Sequence, residues 1–181
     1  MRGRFIAVVG PSGVGKDSVM KELALREPRF TLARRVITRT SDTGGEDFDA
    51  VTLEEFARRE AAGDFILSWR AHGLHYAIPK TVQELVEGKQ DVLANVSRTV
   101  LSMANEQFER FEVVNLGADI AVLAQRLAHR GRETEKQIAA RLERVAPSLP
   151  PNIQTWNIDN SGTVDQTSQA VMARLYPIKE P

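Results

Sequence analysis

The strongest constraint on the fold is a glycine-rich segment near the amino terminus. Phe5 to Val9 precede it as an apolar run typical of a buried strand, and Val19 to Leu25 follow with the spacing of an amphipathic helix. Strand, glycine-rich loop, lysine and helix in this order are typical of a phosphate-binding P-loop. Glycines let the backbone N–H groups turn toward phosphate oxygens, and the helix amino terminus adds partial positive charge. The segment predicted to bind nucleotide phosphates comprises Gly10, Pro11, Ser12, Gly13, Val14, Gly15, Lys16, Asp17 and Ser18.

The residue after the P-loop lysine departs from this motif. A Ser or Thr ordinarily stands there and binds Mg²⁺ through its hydroxyl, but this chain has Asp17. A carboxylate beside a triphosphate is repelled unless a cation lies between them. A chance glycine-rich turn is the alternative interpretation, and the flanking strand and helix favour nucleotide binding over it.

Composition limits the remaining possibilities. The chain has 181 residues, enough for one domain with a core and a small inserted subdomain. Its 24 basic and 24 acidic residues balance, so we expect no nucleic-acid or membrane partner, and any anion site must be local. There is no cysteine, which excludes disulfides and thiolate sites. No apolar run approaches about 20 residues, and the first strand begins almost at once, so we expect a cytoplasmic protein without a signal peptide.

Strands and helices alternate along most of the chain. Further strands are predicted over 30–38, 91–96, 111–116 and 154–159, with helices over 79–86, 97–108, 119–129, from 134 to before Pro147, and over 163–175. This alternation predicts an α/β protein with a five-stranded parallel sheet and helices on both faces. Ligands of such sheets bind at the carboxyl ends of the strands, where the P-loop lies.

Residues 39–79 interrupt the alternation. They contain a helix over 53–62 and two β-like runs, 64–71 and 74–78, joined by a His72-Gly73 turn. We therefore predict one domain over 1–181, with its core in 1–38 and 80–181 and an α+β acceptor-binding insertion over about 39–79.

Arginines are concentrated in two parts of the chain. Arg126 and Arg130 share a helix face, Arg132 follows around Gly131, and Arg141 stands on the next helix, which predicts a cationic lid over about 126–145. A solvated charged face is the alternative, because Glu133 and Glu135 partly neutralise it. Arg35, Arg39 and Arg98 follow or end strands and together suit a phosphorylated acceptor, although each singly could form a surface ion pair.

These motifs in this order resemble the guanylate kinase superfamily over nearly the whole chain. Within it, the chain is most similar to the ribose 1,5-bisphosphate phosphokinase family of bacterial phosphonate degradation. The more specific features are the Gly-Lys-Asp-Ser of the P-loop, 69–74 with Tyr76, 92–98, and Arg-Gly-Arg-Glu at 130–133. The resemblance implies a P-loop NTPase fold, ATP and Mg²⁺ as cofactors, and a small sugar phosphate as substrate. It implies phosphorylation of the 1-phosphate of ribose 1,5-bisphosphate to give 5-phosphoribosyl 1-diphosphate (PRPP) and ADP, by a monomer or a homodimer.

Two departures from guanylate kinases bear on the site. Guanylate kinases carry Ser or Thr after the lysine and Asp at the end of the third strand, where this chain has Asp17 and Asn95. The carboxylate thus follows the lysine instead of ending the third strand. We expect both residues to bind Mg²⁺, Asp17 directly or through water. The region that reads guanine keeps Glu46 but lacks the usual Gly and Tyr after it, while Trp69 and His72 stand in the insertion. We therefore expect an acceptor with phosphates and no guanine.

The resemblance also assigns roles. Lys16, Arg130, Arg132 and Arg141 neutralise the transferred phosphoryl group, Arg126 stacks on adenine, and the loop containing Asn160 lines the adenine pocket through its backbone. The acceptor contacts are Arg35, Arg39, Tyr76, Asn95 and Arg98, with Glu46 or His72 on sugar hydroxyls; Trp69 is expected to pack in the insertion. No general base is needed, because a phosphate oxygen is already ionised. The alternatives are a guanylate kinase acting on GMP and a non-catalytic interaction module, against which Lys16, Arg130 and Arg132 argue.

Overall fold

The computed structural model describes residues 2–39, 47–129, 134–142 and 147–177. Its main sheet has five parallel strands, which in spatial order are Phe30–Leu32 (β2), Asp91–Asn95 (β7), Phe5–Val9 (β1), Phe111–Gly117 (β8) and Thr155–Asp159 (β9). The predicted five-stranded parallel sheet is confirmed. Because β1 is the central strand, the P-loop leaves the middle of the sheet at its carboxyl edge.

The helices are Lys16–Arg26 (α1), Leu53–Ala61 (α2), Thr81–Glu87 (α3), Leu101–Gln107 (α4), Ile120–His129 (α5), Glu135–Leu142 (α6) and Val164–Leu175 (α7). Helices cover both faces of the main sheet. Buried residues of α3 and α4 belong to the core on one face, and those of α1, α5 and α7 belong to the core on the other. Successive β1 residues alternate between the two cores and are almost completely buried. This all-apolar strand is what a parallel sheet with two covered faces requires. None of the helices in the described ranges is long and apolar enough to cross a membrane.

A second sheet of four strands packs against the first. Its spatial order is Phe48–Ala50 (β4), Arg35–Ile37 (β3), Leu74–Pro79 (β6) and Phe65–Ala71 (β5), with β3 parallel to β4 and antiparallel to β6. Phe56 of α2 is buried against Val36 and Ala77 of this sheet. The helix and hairpin predicted within the insertion are therefore present, and their inner side continues the core of the main sheet.

The prediction of one strand over 30–38 is wrong. The backbone N–H of Ala33 still donates to Leu93 of the main sheet, at 2.8 Å, but from Arg35 onward the chain pairs in the second sheet. The two segments, β2 and β3, both have high β propensity, and they differ only in the strands with which they pair. Strand β4 was not predicted, because its three residues are too few to show an alternating pattern.

The predicted helix starts agree closely with the structure. Thr163 and Gln166 form a complete capping box, and so do Thr134 and Gln137. Thr52 accepts from the N–H of Glu55, but the Glu55 carboxylate binds Arg58 instead of completing a box. The helix predicted from Ser97 begins with a 3₁₀ turn over Arg98–Val100, and its α-helical part is α4.

A buried ionic network closes the edge of the sheet opposite the P-loop. Arg4 donates to Asp91 at 2.6 Å and to Glu112 at 2.9 Å, and its side chain is about as buried as that of Asp91. Trp156 donates to Glu112 at 2.7 Å, and Tyr176 donates to Asp91. Burial and the bond to Asp91 raise the pKa of Tyr176 to about 12. The network joins β7, β8 and β9 to Arg4, which precedes β1, and to Tyr176, which follows α7.

We predict that Asp91→Asn destabilises the fold by about 3 kcal/mol at neutral pH, because breaking a buried ion pair leaves Arg4 undercompensated. Burial acts to raise the pKa of Asp91, but hydrogen bonds from Arg4 and Tyr176 outweigh it and hold the pKa below its ordinary value. The stabilisation is therefore complete above the unfolded-state pKa of about 4 and is lost as the pH falls toward the folded value. Urea denaturation across pH measures both effects.

The matched control for this prediction is Glu109→Gln. Glu109 pairs with Arg2 at 3.2 Å, but their side chains are 74% and 60% exposed. Removing such a pair should change the free energy of unfolding by less than about 1 kcal/mol. Equal losses of stability in the two variants would show that the buried network stabilises the fold no more than an exposed ion pair does.

Candidate active site

The P-loop is held in a tight curve by its glycines. Gly13 and Gly15 have φ values of 84° and 94°, in the left-handed region that favours glycine. A Cβ on Gly13 would lie 2.9 Å from Cγ of Leu127, and one on Gly15 would lie 2.9 Å from Nδ2 of Asn160. The loop is therefore packed closely against α5 and against the residue that follows β9. Gly15 is also the N-cap of α1 and offers no side-chain cap.

Lys16 lies over the loop. Its Nζ donates to the backbone carbonyls of Gly10, at 3.0 Å, and Pro11, at 3.3 Å. The ammonium group is thus held beside the backbone that is predicted to bind phosphates. A positive charge next to an uncapped helix amino terminus is a suitable environment for a polyanion.

Two cavities flank the P-loop. The first has a volume of about 330 Å³ and contacts Gly10, Pro11, Ser12 and Lys16. The second has a volume of about 410 Å³ and contacts Gly13, Gly15 and Ser18. The lining of the first cavity includes six predicted substrate-binding residues, which are Arg35, Arg39, His72, Tyr76, Asn95 and Arg98. The predicted nucleotide-binding residues Arg126 and Asn160 line the second. Residues far apart in sequence therefore meet on opposite sides of one loop.

An aromatic pair forms one wall of the first cavity. The rings of Trp69 and Tyr76 are stacked, with centroids 5.4 Å apart and planes 8° apart. The guanidinium group of Arg35 lies 5.4 Å from the centre of the Tyr76 ring. Trp69 packs in the core, as expected, and it also faces the cavity. The wall thus combines a rigid apolar surface with a neighbouring cation.

His72 reaches the same cavity from the hairpin turn between β5 and β6. His72 and Gly73 have φ values of 53° and 74°. Two successive residues with positive φ are typical of a type I′ turn, in which asparagine or glycine is more usual than histidine at the first position. The turn places His72 in the lining of the cavity, which the sequence predicted only from the resemblance.

Asp17 and Asn95 are neighbours across the site. Nδ2 of the buried Asn95 donates to Oδ1 of Asp17 at 2.9 Å. Asp17 lies in the first turn of α1, and Asn95 is the last residue of β7, which pairs with β1. The two side chains that distinguish this chain from the usual P-loop pattern are therefore in direct contact. Their binding of a metal stays a prediction.

Asn160 braces the P-loop. Its side chain is 1% exposed, and its Nδ2 donates to the carbonyl of Val14 at 2.5 Å. Thr167 of α7 donates to its Oδ1 at 2.6 Å, so both ends of the amide are engaged. Arg126 donates to the same Val14 carbonyl and to that of Gly162, both at 3.3 Å. The role of Thr167 was missed, because a helical pattern does not reveal which loop a helix contacts.

Some predicted residues cannot be placed. Glu46, Arg130 and Arg132 lie outside the described residues, and so does the side chain of Arg141. The roles assigned to Glu46 and to the lid arginines therefore stay predictions.

Comparisons with known proteins identify the family of the chain. A family model described as guanylate kinase matches residues 2–170. The ribose 1,5-bisphosphate phosphokinase PhnN of Ruegeria sp. (strain TM1040) is 48% identical over 164 residues, covering 90% of this chain and 86% of that protein. The enzyme of the same name from Brucella melitensis biotype 2 is 45% identical over 180 residues, covering 98% and 94%. The chain belongs to the guanylate kinase family, among its PhnN proteins.

A solved structure supports the same fold. Guanylate kinase from Anaplasma phagocytophilum superposes with a TM-score of 0.70 over 98% of this chain and 88% of that chain, at 18% identity. Membership of the guanylate kinase family, predicted from the motifs, is thus confirmed. The protein is a phosphotransferase with a nucleotide substrate.

We predict that Asn160→Ala weakens nucleotide binding about tenfold and lowers stability by about 1–3 kcal/mol. The substitution removes the short hydrogen bond to the Val14 carbonyl, leaving only the longer one from Arg126, and removes the closest acceptor of the Thr167 hydroxyl, which frees the loop to move. Titration with a fluorescent nucleoside triphosphate and thermal unfolding measure the two effects. Asn152→Ala, in an exposed loop, is the control and should change neither. Unchanged affinity in Asn160→Ala would show that the P-loop does not need this brace.

Proposed function

We propose that the protein transfers the γ-phosphoryl group of ATP to the 1-phosphate of ribose 1,5-bisphosphate, forming PRPP and ADP. The observation that carries the proposal is the pair of cavities on opposite sides of one P-loop, which suits a donor on one side and an acceptor on the other. The relatives named ribose 1,5-bisphosphate phosphokinase, similar over nearly the whole chain, support this choice of acceptor.

The first cavity suits a compact acceptor with two anionic ends. Lys16, Arg35, Arg39 and Arg98 line it, and they come from three separate parts of the chain. Guanidinium groups bind phosphates in a bidentate manner, so several arginines around a small cavity favour a bisphosphate. The stacked Trp69 and Tyr76 give the sugar a rigid apolar surface.

The second cavity suits the adenosine part of ATP. Arg126, on α5, lies between the P-loop and Gly162, and its guanidinium plane can stack on a purine. Asn160 fixes the position of the neighbouring loop backbone, which offers carbonyl and N–H groups to the base. The phosphates then follow the P-loop from the second cavity toward the first.

Asp17 and Asn95 are the residues that would hold Mg²⁺. They supply a carboxylate and an amide, which are the hard oxygen ligands that Mg²⁺ accepts together with phosphate oxygens and waters. The described residues contain no group of three or more acidic or histidine side chains that could hold a metal, so phosphate and water must complete the coordination. When bound, Mg²⁺ neutralises charge on the transferred group.

The reaction needs no base. An ionised oxygen of the acceptor's 1-phosphate attacks the γ-phosphorus, the bond from that phosphorus to the β–γ bridging oxygen breaks, and ADP leaves with the bonding electrons. No proton moves, because phosphate is already ionised at neutral pH. The protein's work is to align the two substrates and neutralise charge, which Lys16 does from the P-loop. We assign the same role to Arg130, Arg132 and Arg141 of the lid.

Phosphorus NMR tests the proposal. Incubation with ATP, Mg²⁺ and ribose 1,5-bisphosphate should convert the 1-phosphate signal into the two coupled signals of a diphosphate ester. GMP in place of ribose 1,5-bisphosphate should give little product. Faster turnover of GMP would favour guanylate kinase activity, and ATP binding without turnover of either acceptor would favour a non-catalytic module.

We predict that Asp17→Ser, which restores the usual P-loop residue, lowers the rate of phosphoryl transfer about tenfold or more. It should also raise the Mg²⁺ concentration that gives half of the maximal rate about tenfold or more. Interactions with a charged group contribute about 1.5–3 kcal/mol, and a tenfold change corresponds to about 1.4 kcal/mol. Steady-state rates at several Mg²⁺ concentrations measure this. Glu22→Gln, a carboxylate on the same helix that pairs with Arg26, is the control and should behave as wild type. Unchanged activity and magnesium dependence in Asp17→Ser would refute a metal role for Asp17.

A further inference from the structure

We infer that Asn115 is a positioning residue that holds Arg98 in place for a phosphate of the acceptor. The inference rests on the proposed function of the first cavity and adds a residue that does not itself line it. Three observations lead to it: a polar residue at the end of an apolar strand face, a chain of hydrogen bonds through that residue, and the absence of charge on the partners of Arg98.

The first observation concerns the face of the sheet that carries the larger core. On this face, β8 contributes Phe111 and Val113, both buried, and the next position with the same orientation is Asn115. In the register of the sheet, Asn115 lies beside Val9 of β1 on one side and Asn157 of β9 on the other. The apolar face therefore becomes polar where it meets the P-loop. A half-buried amide at this place requires hydrogen-bond partners.

The second observation is how that requirement is met. Nη2 of Arg98 donates to Oδ1 of Asn115 at 2.9 Å, and Nδ2 of Asn115 donates to Oδ1 of Asn157 at 2.8 Å. Because a guanidinium group only donates, Arg98 requires Oδ1 of Asn115 on its side, which leaves Nδ2 to donate to Asn157. Arg98 follows β7, on the other side of β1, so its side chain extends past the end of β1 to reach Asn115. This path takes the guanidinium group along the cavity next to Val9.

The third observation is the charge of the partners. Besides Asn115, Arg98 donates to the carbonyl of Pro147 at 3.1 Å, and both acceptors are neutral. Within the described ranges, no carboxylate lies at ion-pair distance from Arg98, whereas Arg4, Arg34 and Arg59 each have at least one. Arg98 is thus oriented without being neutralised. An arginine held in this way keeps its full charge and its remaining N–H groups for a phosphate.

The same contacts could simply stabilise the ends of β8 and β9, and variants of Asn115 distinguish the two roles. Asn115→Ala should raise the KM for ribose 1,5-bisphosphate about tenfold, with the KM for ATP within twofold of wild type. Asn115→Asp keeps the shape and accepts from Arg98 but places a negative charge beside it. It should raise the same KM at least as much, whereas a structural role would tolerate the aspartate. Asn105→Ala, on the exposed side of α4, is the matched control and should have no effect.

A double-mutant cycle tests whether Asn115 acts through Arg98. Arg98→Gln should raise the KM for the acceptor, and adding Asn115→Ala to it should cause no further increase. Additive effects, or a wild-type KM in Asn115→Ala, would overturn the assignment while leaving the proposed function intact. If wild type neither phosphorylates ribose 1,5-bisphosphate nor binds it in calorimetry, the proposed function fails, and the assignment fails with it.

Discussion

The burial of β1 at the centre of the main sheet is the constraint on which the site depends. Both faces of this strand are covered, so its carboxyl end has a fixed position from which the P-loop begins. The loop is then held from both sides, by Leu127 of α5 packed on Gly13 and by Asn160 bound to the carbonyl of Val14. A phosphate-binding loop can bind without reorganising only if its backbone is already held in place. The apolar core provides that rigidity.

Charge is distributed differently at the two edges of the sheet. At the amino edge, Arg4 is neutralised by Asp91 and Glu112 in a buried network that ties the strands to the end of the chain's last helix. At the carboxyl edge, Arg98 and Arg126 donate to neutral carbonyl and amide oxygens. In a buried ion pair the two charges neutralise each other. An arginine that donates only to neutral oxygens keeps its positive charge available to bind an anionic ligand. The contrast separates a structural edge from a binding edge.

The contact between Asp17 and Asn95 gives a physical basis for the unusual P-loop. A carboxylate in the first turn of a helix is favoured by the helix dipole, and the amide of Asn95 supplies it with a hydrogen-bond donor. Where the usual arrangement has a hydroxyl after the lysine and a carboxylate on the neighbouring strand, this chain has a carboxylate and an amide. The site keeps one negative charge, which moves from the strand to the helix.

The P-loop, the parallel α/β architecture, most helix starts and the family could be predicted from the sequence alone, because they follow from local chemistry and from the period of apolar residues. The division of residues 30–38 between two sheets could not, because β2 and β3 differ in their partners rather than in their propensity. Tertiary contacts also determine that Asn160 braces the loop and that Asn115 contacts Arg98. The direction of a polar side chain depends on which strands and helices become neighbours, and no local pattern in the sequence records that.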